Sequence, residues 1–114
     1  MNPYEPSKPQ RKIARTLIDS GLMKEYQNGI MMIDEIIRDW KNDKLDNREA
    51  YHKIYKKLDR FDNHISNRYD NLSSSKYMFV LAHQLSEGLI SVDDLDELDE
   101  QYRAAVLFLA TKRD

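Results

Sequence analysis

Few side chains in this sequence are equipped for chemistry, and their spacing decides what each could do. Three histidines, His52, His64 and His83, could carry protons near neutral pH. A metal site built on one helix needs ligands three or four positions apart. At that offset His52 meets Lys56 and His64 meets Arg68, while Asp59 lies five residues from His64, off the face a ligand pair requires. The acidic run Asp93, Asp94, Asp96, Glu97, Asp99 and Glu100 has the ligand type for calcium but not the central glycine or the spacing of a calcium loop. Helix capping explains it more simply, with Ser91 before Asp94 and Asp99 before the last apolar stretch.

Nucleophiles fare no better. The chain has no cysteine, which excludes thiol catalysis, disulfides and zinc-thiolate sites. Ser73, Ser74 and Ser75 have no glycine elbow and no base visible in the sequence. Three isolated glycines cannot build a phosphate loop. The expected protein has no metal, no cofactor and no catalytic residue, and is not an enzyme.

One stretch remains, Tyr51-His52-Lys53-Ile54-Tyr55-Lys56-Lys57, which is both basic and aromatic. Residues 1–57 hold twelve Lys/Arg against nine Asp/Glu, and residues 58–114 hold six against eleven. That asymmetry admits two readings. The leading one is a non-enzymatic, dimeric protein-binding regulator; the alternative is a nucleic-acid-associated helical dimer using Lys53, Lys56 and Lys57. For a protein partner the candidate docking residues are His52, Tyr55, Lys56 and Asp62, exposed aromatics and charges beside an apolar seam.

The elements that must position these residues read as helices. Leu22, Tyr26, Ile30, Ile33, Ile37 and Trp40 recur every three or four residues, which predicts a long helix over 12–42. Met23, Met31 and Ile36 widen its seam. Gly21 and Gly29 lie inside it; either they permit close helix approach or Ser20-Gly21 marks a break, and we expect a break or kink there. Asp46 with Glu49 resembles a capping box, with Asn47 an equally good cap. A second helix over 47–72 carries Tyr51, Ile54, Leu58, Phe61, Ile65, Tyr69 and Leu72. Shorter helices are expected near 76–87, 92–97 and 100–111, with Gly88 ending the first of them. Residues 1–11, with Pro3, Pro6 and Pro9, read as a flexible arm, either a polyproline ligand or a loose terminus.

Length and composition agree with this layout. One domain fits 114 residues. Only three glycines and three prolines, with 33% charged residues, suit solvated helices rather than a sheet. A net charge of −2 argues against a general phosphate-binding surface. No apolar run approaches the about 20 residues a membrane span needs. We expect a soluble cytoplasmic protein. The two seam helices should be roughly 45 Å and 39 Å long, more than the about 34 Å across a compact chain of this size. The hairpin, 12–72, should therefore protrude from a head, 73–114, and leave its seam to be covered by a second copy. The expected dimer core is Ile30, Ile33, Ile37, Ile54, Leu58, Phe61 and Ile65.

Between Asn63 and Leu98 the sequence resembles a known family. The segments Ile65-x3-Tyr69-Asp70, Met78-Phe79-Val80-Leu81-Ala82-His83-Gln84-Leu85-Ser86-Glu87-Gly88-Leu89 and Asp94-Leu95-x2-Leu98 are similar to those of the fluorescence recovery protein family, as is Lys24-Glu25-Tyr26. The resemblance implies an all-α homodimer, whose helical hairpins pair as a four-helix stalk with small helical heads. It also implies a regulator that binds the photoactivated orange carotenoid protein and speeds its return to rest, without cofactor or catalysis. His52 stands where that family places a tryptophan. Tyr55 and Lys56 fall near its histidine–aspartate pair, Asp62 falls near its exposed arginine, and the segment around Ser73 to Ser75 is one residue longer.

Overall fold

The structure, a computed structural model, describes residues 5–112. Among them are four α-helices and no strand: α1 (Lys8–Lys41), α2 (Asn47–Tyr69), α3 (Tyr77–Ser86) and α4 (Glu100–Thr111), with 3₁₀ turns at Ser74–Lys76 and Asp93–Glu97. The all-α class and the long hairpin with a small helical head are as expected. The chain divides into two compact units, one of Met1–Lys24 with Asn71–Asp114 and one of Glu25–Asp70.

The first unit is the head, and it recruits more of the N-terminus than the sequence predicts. Residues 1–4, with Pro3 of the expected arm, lie outside the described residues. The rest of the arm is built into the unit: Pro6 is buried, and α1 already begins at Lys8. Pro9 falls in the first turn, where its missing N–H costs nothing. The Ser74 hydroxyl donates to Glu5, and Gln10 Oε1 accepts from the Asp99 backbone N–H at 2.7 Å. Ile18, Leu81, Leu95 and Val106 form the fully buried centre, together with Ala14, Met78 and Tyr102.

The expected break at Ser20-Gly21 does not occur; α1 is one helix of 34 residues. Gly21 serves close approach instead. A Cβ there would stand 2.4 Å from Gln84 Nε2, and Gln84, fully buried, donates to the Ile18 carbonyl at 2.9 Å. After α3 the chain turns with Gly88 at φ 74°, and the Leu89 and Gly88 amides return to the carbonyls of Gln84 and Leu85. That is the Schellman pattern, which needs a residue free to adopt positive φ. Ser91 and Asp94 cap one another reciprocally as expected, but the turn they open is 3₁₀ rather than α-helical. Phe108 on α4 is 59% exposed, with the Lys112 ammonium 5.4 Å from its ring centre.

The second unit is the hairpin proper. The capping box forms at Asp46, whose carboxylate accepts from the Glu49 amide at 2.8 Å while Glu49 accepts from the Asp46 amide. Trp40 donates to Asn47 across the connector at 2.8 Å. Helix α2 stops at Tyr69, three residues before the expected end, where Asp70 turns extended and Asn71 follows at φ 56°. The helices meet closely at Gly29, where a Cβ would lie 2.6 Å from the Phe61 ring.

Candidate protein-interaction face of the hairpin

Within the hairpin unit each helix offers one stripe to the other, and the stripe of α1 is not the one hydrophobicity picks out. The positions buried on α1 here are Glu25, Gly29 and Ile36, offset from the predicted seam. On α2 they are Ala50 and Ile65. The larger apolar side chains of the predicted seam stay accessible: Ile30 is 69% exposed and Leu58 55%, with Tyr26, Tyr51 and Trp40 also exposed. Ile33, Ile37, Ile54 and Phe61 are half-buried. Small residues let the backbones approach, so the bulky ones are pushed to the flanks.

Those flanks enclose a groove of about 260 Å³, floored by Gly29 and Ile65 and walled by Tyr26, Ile30, Ile33, Leu58 and Phe61. Asp62 is its acidic lip. A neighbouring hollow of about 320 Å³ shares Leu58 and Asp62 and adds Tyr55 and Asp59. Of the four predicted docking residues, Tyr55 and Asp62 therefore lie together beside the apolar groove. Lys56 does not join them; it lines a separate groove with Lys53, Lys57 and Arg60. His52 is exposed in neither hollow and stands edge-on to Tyr51, ring centres 5.6 Å apart. On a helix, positions 56 and 62 are about 120° apart, which is why four residues that look adjacent in sequence divide between two faces.

The sequence reading missed one cluster altogether. Glu25 is buried, and its carboxylate accepts from His64 Nε2 at 2.7 Å, from Arg68 Nη1 at 3.0 Å and from the Tyr69 hydroxyl. Burial pushes this carboxyl up, but the hydrogen bonds from Tyr69, His64 and Arg68 and the Arg68 charge outweigh it and hold it below its ordinary value of 4.5. A carboxylate so held is a poor general base and a good structural pin between α1 and α2. The signal for it was present. Glu25 lies four residues from each of Gly21 and Gly29, on the stripe of small residues, with Arg68-Tyr69 near the end of α2.

With this geometry established, comparison with solved structures gives a close match in shape. The chain superimposes on the structure of the Fluorescence Recovery Protein of Fremyella diplosiphon with a TM-score of 0.77, over 94% of this chain and 99% of that one, at 18% sequence identity. The fold is that of a fluorescence recovery protein. No family model and no curated protein matches the sequence. The correspondence is thus one of backbone fold. In this chain α2 exposes Tyr55, Leu58 and Asp62. No helix among the described residues is long and apolar enough to cross a membrane.

Proposed function

We propose that this chain is a non-enzymatic, cytoplasmic, homodimeric regulator of the fluorescence recovery type, acting by binding a carotenoid-binding protein. The observation that carries this reading is the fold match over nearly the whole of both chains. The apolar groove supports the dimer. Two hairpins that bring Ile30, Ile33, Leu58 and Phe61 together, flanked by Ile37, Ile54 and Ile65, make the four-helix bundle that a lone hairpin lacks. Tyr55 and Asp62, at the edge of that groove, are the proposed contacts for the partner, with His52 and Lys56 on the adjoining surface. Tyrosine suits such a role because it contributes a large contact area and fixes few torsions. The residues that differ here from the family pattern, His52, Tyr55, Lys56 and Asp62, give this chain its own partner preference within that class.

The test is to add the purified chain to a photoactivated orange carotenoid protein and follow the return of its resting absorption in the dark. A faster return is expected, slowed again by Tyr55→Ala with Asp62→Arg. An unchanged rate with a chain that is dimeric by sedimentation equilibrium rejects the partner; a monomer at micromolar concentration rejects the dimer.

A further inference from the structure

The charge asymmetry of the sequence has a definite location in the structure. A second groove of about 320 Å³ runs between α1 and α2, with Met32 and Ile36 as its apolar floor. Its rim carries Lys53, Lys56, Lys57 and Arg60, opposed by Glu35 and Asp39. All four basic residues are exposed, and none makes an ion pair among the described residues. The complementary surface is elsewhere in the same sequence. Residues 92–100 hold six carboxylates and no basic residue, led by Val92, which is 54% exposed. Asp94 and Asp99 are occupied as caps and Asp96 lies 3.7 Å from Arg103, but Asp93, Glu97 and Glu100 are exposed and without an ion pair among the described residues.

We infer that the basic groove of α1 and α2 binds the acidic segment 92–100 of a second copy of this chain, joining copies by a contact separate from the apolar groove. Val92 supplies an apolar tip for Met32 and Ile36, and Asp93 and Glu97 supply carboxylates for the lysine–arginine rim. A nucleic acid fits less well, because Glu35 and Asp39 face the same groove and repel a continuous phosphate backbone. Exposed pairs are individually weak, so the contact depends on several acting together and is screened by salt.

Sedimentation velocity of the full chain in about 20 mM and about 300 mM salt, where the screening length falls from roughly 20 Å to roughly 6 Å, tests this. Concentration-dependent species larger than the high-salt state are expected in low salt and absent in high salt. The groove variant Lys56→Glu/Lys57→Glu/Arg60→Glu and the segment variant Asp93→Lys/Glu97→Lys should each weaken this association about tenfold or more. Mixed together they should recover it, since the reversed groove of one then faces the reversed segment of the other. No low-salt assembly, assembly indifferent to salt, or a mixture that stays unassembled overturns the inference. So does low-salt binding of a labelled oligonucleotide that the groove variant loses while the chain alone does not assemble, because the groove then serves a different polyanion.

Discussion

The head and the hairpin are built from the same kind of helix, yet they bury very different things. In the head, Ile18, Leu81, Leu95 and Val106 are fully buried, a Schellman turn follows α3, and side-chain caps stand at Ser91–Asp94 and Asp99. In the hairpin, the buried positions are Glu25, Gly29, Ile36, Ala50 and Ile65, while Ile30 and Leu58 face outward. The head encloses an apolar centre within one copy because helices α3 and α4, the 3₁₀ turn and the start of α1 surround it from several sides. Two helices alone cannot do so; each covers one stripe of the other and leaves the flanks bare. The difference leaves the hairpin with the exposed apolar flanks that the proposed dimer would cover.

Four changes test that contrast, in descending order of expected effect. Leu58→Asp should break the proposed dimer. Burial of a leucine-sized side chain contributes about 1.5–3 kcal/mol, and a symmetric dimer loses two, so about 3–6 kcal/mol of dimer stability should go. Sedimentation equilibrium should then show monomer, with helical circular dichroism still present from the self-sufficient head. Leu81→Ala addresses the opposite region. It opens a cavity in the fully buried centre and should cost about 2–5 kcal/mol in denaturant unfolding, at any protein concentration.

Glu25→Gln comes next, at about 1.5–3 kcal/mol, because it replaces charged acceptors with neutral ones in front of His64, Arg68 and Tyr69. It also carries a pH signature. Glu25 is held below its ordinary value of 4.5, so its contribution is present above that value and lost as pH falls below it through the folded-state value. Urea midpoints measured down the acid limb should decline for the natural chain and decline less for Glu25→Gln; parallel curves reject the pin. The smallest effect is Asp46→Ala, about 1 kcal/mol for a lost helix cap, read as a lower thermal midpoint with the dimer intact.

Much of this was legible in the sequence. Periodicity gave both long helices, and the pairs Asp46–Glu49, Ser91–Asp94 and the lone Gly88 marked caps and a turn that the structure realises, because these depend only on residues within a few positions. What could not be read was which stripe faces inward. Hydrophobicity chose Tyr26, Ile30 and Ile33, but close approach of two backbones favours Gly29 and rejects bulk, and a charged Glu25 is buried only because His64, Arg68 and Tyr69, about forty residues away, supply its hydrogen bonds. For the same reason the continuity of α1 through Gly21 was settled by Gln84, and the incorporation of residues 5–11 by Ser74 and the Asp99 amide. The sequence by itself determined the helices, several of their caps and their charge, all of which are local. Only the tertiary structure decided which faces are buried, because burial is a property of pairs of surfaces that the chain brings together from opposite ends.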